Sequence, residues 1–160
     1  MGIQRKSKEI IIDSLLYLPL FDSTKGAELK VVADHMNFFQ VEKNEILFRE
    51  GDKGDHVCFI LEGTIDIIKE SSPGHTVVIA SLPKGRSIGE MSIVDNFPRS
   101  ATARAQTKAS ILKLTQLDFN QMLKKHPEIG IKILTGILRL LSLNLRKTSS
   151  RLADYMLPVT

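Results

Sequence analysis

Ile88-Gly89-Glu90-Met91-Ser92-Ile93-Val94-Asp95-Asn96-Phe97-Pro98-Arg99-Ser100-Ala101-Thr102 is the stretch on which the reading of this chain turns. It sets a Gly-Glu pair and a Pro-Arg-Ser-Ala run on either side of a short apolar segment. Gly89 has no Cβ and so permits close approach of a ligand to the backbone. The Glu90 carboxylate can accept hydrogen bonds from sugar hydroxyls. Met91 to Val94 has the length of one helical turn, and the free N–H groups of such a turn suit an anion. Arg99 supplies a permanent positive charge on a planar donor fork. Ser100 adds a hydroxyl and a further backbone donor beside it. Together these groups describe a pocket for one phosphate and one ribose.

Outward from this stretch the apolar pattern is that of strands. From Phe38 to Leu114 apolar residues alternate or cluster in short runs, punctuated by glycines, Pro73 and Pro83. Thr64-Ile65-Asp66-Ile67-Ile68-Lys69 and Thr76-Val77-Val78-Ile79-Ala80 read as strands, as does Ala109 to Leu114. Many short strands joined by regular turns indicate an antiparallel sandwich or barrel. Gly51, Asp52 and Asp55 read as turn-formers. Asn44, in the turn Glu42-Lys43-Asn44-Glu45, is expected to tolerate a positive φ.

Both ends of the chain carry helical spacing. Ile11, Ile12, Leu15 and Leu16 predict a helix over 8–19 that Pro19 ends. Leu29, Val32, Ala33 and Met36 predict a second over 25–36, capped by Ser23 or Thr24. Leu117, Phe119, Met122 and Leu123 predict a third from Gln116 to His126. Pro127 suits the first position of a fourth, which runs to Tyr155 or Met156. The expected organisation is a single domain over 1–160. Helices occupy 8–37, strands 38–115 and C-terminal helices 116–157.

The spacing of 88–102 resembles the phosphate-binding cassette of cyclic nucleotide-binding domains, the sensor domain of catabolite-activator-like proteins. Gly51-Asp52-Lys53-Gly54-Asp55 with Phe59-Ile60-Leu61-Glu62-Gly63-Thr64-Ile65 is similar to that family's hairpin, and Leu18-Pro19-Leu20-Phe21 to its N-terminal helical segment. The resemblance implies a mainly β fold, an antiparallel β-jelly roll (double-stranded β-helix) with N-terminal helices and a long C-terminal helix. It implies that Arg99 and Ser100 hold a cyclic phosphate and that Glu90 takes the ribose 2′-hydroxyl. Ser92 and Ala101 would offer backbone N–H groups beside Gly89, and Met91 would pack at the site. Alignment on Phe119 and Pro127 brings Asn144 near the base, where its amide can meet a purine edge; the alternative is a solvent-exposed polar residue. Ser100 stands where members favouring cGMP often carry threonine, so cAMP is the preferred ligand and cGMP the alternative. Arg86 and Ile88 depart from the family, which usually has an acidic residue and phenylalanine there. No cofactor is implied beyond the ligand.

The chain of 160 residues, 42% hydrophobic and 25% charged, has the composition of an ordinary globular domain. A net charge of +4 permits a polyanion partner without demanding one. The single cysteine, Cys58, excludes an intrachain disulfide and reads as a buried strand residue. The apolar run Ile10 to Leu20 is too short to span a bilayer, and Met1-Gly2 lacks the hydroxyl spacing of a myristoylation site. A cytoplasmic location with no membrane partner is expected. His35, His56, His75 and His126 form no metal-binding pair motif, and no Walker loop or nucleophile elbow is present. No enzyme activity, catalytic residue or metal is expected.

In the last helix Ile131, Leu134, Leu138, Leu141, Leu145, Thr148, Leu152 and Tyr155 follow alternating steps of three and four. Ile129, Ile133, Ile137 and Leu140 form a second face. One face is expected to meet the β-barrel and the other a second subunit, giving a homodimer; the alternative is that both pack within the monomer. With 116–157 assigned to these helices, no stretch is left to read DNA. No direct DNA binding is expected, and the signal would pass to the dimer or to a separate effector protein.

Overall fold

The apolar run Val57–Leu61 lies in a strand buried on both faces, which explains why it reads as continuous rather than alternating. In the computed structural model, which describes residues 2–156, this strand is β3 (His56–Glu62). It follows α1 (Gly2–Leu15), a 3-10 turn Pro19–Phe21, α2 (Ala27–Asp34), β1 (Asn37–Val41) and β2 (Ile46–Phe48). After it come β4 (Thr64–Ser72), β5 (His75–Pro83), β6 (Ser87–Ile88), a 3-10 turn Glu90–Ile93, β7 (Thr102–Ala105) and β8 (Ala109–Thr115). Two helices close the chain, α3 (Gln116–Lys125) and α4 (Pro127–Met156). Met1 and residues 157–160, with the expected last helical position Leu157, lie outside the described residues.

The strands form two four-stranded antiparallel sheets, ordered β1-β8-β3-β6 and β2-β7-β4-β5. This is the jelly roll with flanking helices. Cys58, Ile60, Ile65, Ile88, Ala103 and Ile111 belong to the core of the β-sandwich. Val57, Phe59, Leu112 and Leu114 join the helical core with Leu15, Phe21, Val32, Phe119, Met122, Ile133 and Ile137. The first sheet is therefore shared between two cores, and β6, which leads into the site, is anchored at its inner edge by the Cys58–Ile88 pair. Burial pushes the Cys58 thiol up to about 12, so it serves as an inert apolar side chain.

Several element boundaries differ from expectation. α1 stops at Leu15, and Pro19 opens the 3-10 turn rather than ending the helix, because proline suits a first helical position. α2 starts at Ala27 with Gly26 as its N-cap at φ 55°, so neither Ser23 nor Thr24 caps it. Instead the Lys25 N–H donates to Glu28 Oε2 at 3.2 Å. Leu117 points to solvent, while Phe119 and Met122 carry the buried face of α3. Asn44 takes φ 70°, as its turn position requires.

The two glycines of α4 are packing devices. A Cβ on Gly136 would run into the Leu20 carbonyl, and one on Gly130 into Leu123. The start of α4 thereby lies directly on the Pro19–Phe21 turn and on α3. Lys132 Nζ adds a tie to Glu28 of α2, donating to both carboxylate oxygens at 2.7 and 2.8 Å. Beyond Ile137 no residue of α4 is buried. Of the expected seam, Ile131, Leu138, Leu145, Leu152 and Tyr155 are exposed, while Leu134 and Leu141 pack partly buried against the helical core; on the second face Ile129, Ile133 and Ile137 are buried.

Candidate functional site

β6 ends at Ile88, and Gly89 turns the chain with φ 79°, a left-handed conformation that glycine adopts without cost. The Glu90–Ile93 turn follows, closed by Ser92 N–H to the Gly89 carbonyl at 3.1 Å and Val94 N–H to the Met91 carbonyl at 2.9 Å. An exposed loop then leads through Phe97 to Arg99 and into β7. Gly89 differs from expectation in one respect. The space a Cβ would fill is taken by the Arg99 guanidinium rather than left open for a ligand, and the His56 carbonyl lies 3.2 Å from the same position.

Arg99 is the centre of the arrangement. It is only 4% exposed. Nη1 donates to Ser92 Oγ at 2.8 Å and, at 3.4 Å, to the Gly89 carbonyl; Nη2 donates to the His56 carbonyl at 2.7 Å. The guanidinium lies 4.0 Å from the centre of the Phe48 ring, a cation–π contact. Nε is buried without a hydrogen-bond partner among the described residues. Burial draws the Arg99 pKa below its ordinary value, since the charged form loses hydration. Its hydrogen bonds all go to neutral oxygens, so the positive charge is desolvated without a carboxylate bonded to it.

The Gly51–Asp55 turn holds this arginine from behind. Arg99 N–H donates to the Asp52 carbonyl at 2.8 Å, and Gly51 N–H to the Arg99 carbonyl at 2.9 Å. Asp52 Oδ2 accepts from Arg49 N–H at 2.7 Å, so Gly51 and Asp52 form a turn as read from the sequence. Gly54 is required for contact, because its Cβ would enter the space of Ser92 Oγ and lie 2.8 Å from the Phe97 carbonyl. The two motifs are thus one structure: the turn braces the cassette. Asp55 accepts from His56 Nδ1 at 2.6 Å, which lowers the Asp55 pKa. Burial outweighs that bond at His56 and holds its imidazole below the ordinary 6.5.

Glu90 is 8% exposed, and Ser87 Oγ donates to its Oε1 at 3.0 Å. That bond fixes one carboxylate oxygen and leaves acceptor capacity on the group. The Ser100 side chain is exposed, and its carbonyl accepts from Lys69 Nζ at 2.6 Å. Ala101 is buried at the base of β7, and Met91 is half exposed at the rim. Gly89, Glu90, Met91, Ser92, Arg99, Ser100, Ala101 and Asn144 all line one cavity of about 460 Å³. Asn144 reaches it from α4, far along the chain from the cassette. Phe48, Ile67, Leu82 and Ser87 also line it and were not singled out by sequence. Phe48 and Ser87 lack any local signature; they are brought in by the sheet. Arg86 lies outside this cavity.

Among the described residues no cluster of three or more His, Cys, Asp or Glu side chains could hold a metal ion. No described helix is long and apolar enough to cross a membrane.

A buried arginine, a hydroxyl-bonded glutamate and a glycine-led turn thus line one cavity of a jelly roll built from two antiparallel sheets. The family model for the cyclic nucleotide-binding domain matches residues 38–126, more than half of the chain. The chain belongs to the cyclic nucleotide-binding domain family. A crystal structure of a cyclic nucleotide-binding domain from Methylobacillus flagellatus is 30% identical, with a TM-score of 0.83 over 95% of this chain and 85% of that one. The catabolite activator protein of Thermus thermophilus shares the fold at 23% identity, with a TM-score of 0.75 over 86% of this chain and 62% of that one. A cyclic nucleotide-gated potassium channel of Rhizobium etli is 32% identical over 113 residues, 71% of this chain and 30% of the channel. A lysophospholipase of Neurospora crassa is 31% identical over 98 residues, 61% of this chain and 6% of that protein. The matched region is thus a small share of these longer relatives.

Proposed function

We propose that this chain is a cyclic nucleotide sensor that binds cAMP in preference to cGMP, without catalysis, and signals through its C-terminal helix. The observation that carries the reading is Arg99, a desolvated cation hydrogen-bonded only to neutral oxygens at the wall of the cavity. A cyclic phosphate supplies the missing negative charge. Its oxygens take the guanidinium fork together with the Ala101 N–H and the Ser100 hydroxyl, whereas the Ser92 N–H, expected as a further donor, is spent on the Gly89 carbonyl. Glu90, held by Ser87, accepts from the ribose 2′-hydroxyl. Met91 and Gly89 shape the wall, and Asn144 meets the base from α4. Binding energy spent on Asn144 biases α4 toward a closed position, which is how a ligand moves such an element.

The exposed Leu138 and Leu145 support the helix as a homodimer contact that hands the signal to the partner or to a separate effector. A buried, protonated Cys58 is compatible with a cytoplasmic setting. The test is calorimetry with cAMP and cGMP on ligand-stripped protein and on Arg99→Lys. Lysine cannot reproduce the fork, so affinity is expected to fall by about 2–5 kcal/mol. Near-unchanged affinity in that variant removes Arg99 from the site, and a clear cGMP preference reverses the base assignment.

A second reading, the same sensor as one part of a larger regulator, is favoured by the 30% and 6% shares of the longer relatives. The intact mass of the natural gene product separates the two.

A further inference from the structure

A second cavity of about 430 Å³ adjoins the first. The two share Leu82, Ser87, Glu90 and Asn144 in their walls, so they meet at the glutamate and the asparagine. Each has a volume suited to one small ligand, within the range of about 300–1,000 Å³ typical of such sites. The second is the more polar in character: Arg86, from the turn between β5 and β6, and Lys147 and Arg151 of α4 all line it. Asn144, Lys147 and Arg151 stand at steps of three and four, which places them along one side of α4. None of the three cations is in an ion pair among the described residues. Lys147 and Arg151 are four residues apart, a spacing at which like charges oppose helix formation. Glu90 is the one carboxylate lining this cavity, and it already accepts from Ser87.

Two chambers of similar size, each with its own unpaired cationic group and joined at a sugar-type acceptor, match a ligand with two phosphates. We infer that the second cavity is an anion subsite and that the protein accepts cyclic dinucleotides, one phosphate at Arg99 and the other among Arg86, Lys147 and Arg151. This rests on the reading of the Arg99 cavity as a cyclic phosphate site. It also gives Arg86, whose charge the cassette does not use, a role at the far end of the ligand. A phosphate bridging Arg86 to Lys147 and Arg151 would tie the β5–β6 turn to α4, a link that a mononucleotide cannot make by charge.

The experiment titrates the protein with cAMP, cyclic di-AMP and cyclic di-GMP by calorimetry, then repeats it on Arg86→Ala/Lys147→Ala/Arg151→Ala. At least one dinucleotide is expected to bind and to displace cAMP. The triple variant should weaken that dinucleotide about tenfold or more, because charge-assisted hydrogen bonds are lost, while cAMP affinity stays the same. If cAMP binds and neither dinucleotide competes, the inference fails and the mononucleotide reading stands. It fails too if the triple variant leaves dinucleotide binding unchanged, or weakens cAMP equally. A dinucleotide bound through the three cations, with no mononucleotide binding, upholds the inference and overturns the cAMP assignment. No binding of any of the three overturns both.

Discussion

Replacing Gly89 by alanine should damage the protein in two separable ways. The first is conformational: φ is 79° at this position, and an L-residue there costs about 1–2 kcal/mol. The second is a collision, since the new Cβ would occupy the place of Arg99 Nη1. The guanidinium must then withdraw and lose its 2.8 Å bond to Ser92 Oγ, at a cost of about 1.5–3 kcal/mol for a bond from a charged donor. Gly89→Ala alone is therefore expected to lose about 2.5–5 kcal/mol of stability. In an Arg99→Ala background the collision is absent, and the same change should cost only about 1–2 kcal/mol. Arg99→Ala itself is expected to stay folded, because removing the cation also removes its desolvation penalty. Equilibrium urea unfolding of the four proteins measures the cycle. Equal costs of Gly89→Ala in the two backgrounds, within about 0.5 kcal/mol, would refute the claim that Gly89 exists to seat the arginine.

Four further outcomes are expected. As pH falls, the unfolded chain binds a proton at an ordinary histidine near 6.5 before buried His56 does, so stability should decline from that pH through the lowered His56 value and be level above it; urea midpoints from about pH 8 to about pH 5 should show a shallower decline in His56→Gln. Asp55 acts in a lower window: its bond to His56 contributes above the ordinary 3.8 and is lost as pH falls through its depressed value. Glu90→Ala should weaken cAMP binding while leaving the affinity for 2′-deoxy-cAMP nearly unchanged; calorimetry showing equal losses for both ligands would remove Glu90 from the ribose. Leu138→Glu with Leu145→Glu, at positions 66% and 67% exposed, should yield monomers in light scattering, and an unchanged dimer would exclude this seam as the interface.

The cassette was legible because its geometry is local. One helical turn and an arginine within a short loop are encoded in 88–102, whereas Gly89, read as room for a ligand, instead takes a positive φ and seats Arg99. The jelly roll was legible for a related reason, since short runs broken by turns leave few other folds. Asn44 was read correctly because its side chain tolerates the left-handed region. What was not legible comes from distant strands. His56 meets Arg99 across 43 positions of sequence, and Phe48 lies beneath the guanidinium from β2. No spacing rule announces either. The bracing role of Gly54 was equally hidden, because a turn glycine and a contact glycine look the same in a sequence. The start of α2 was misjudged because Gly26 and a carboxylate two positions on serve where a hydroxyl cap was expected.

The contact of Gly136 with the Leu20 carbonyl has a mechanical meaning. It seats α4 directly on the N-terminal turn, and Lys132 is tied to Glu28 one turn before it. A tilt of the helix about this point would act as a bar on a fulcrum. At 1.5 Å per residue, Asn144 lies about 12 Å along the bar and Met156 about 30 Å. A rotation of about 10° would carry Asn144 by about 2 Å and the end of the helix by about 5 Å. If α4 tilts about this point, a small displacement beside the cavity would reach the end of the helix multiplied about two and a half times, a ratio set by the position of one glycine.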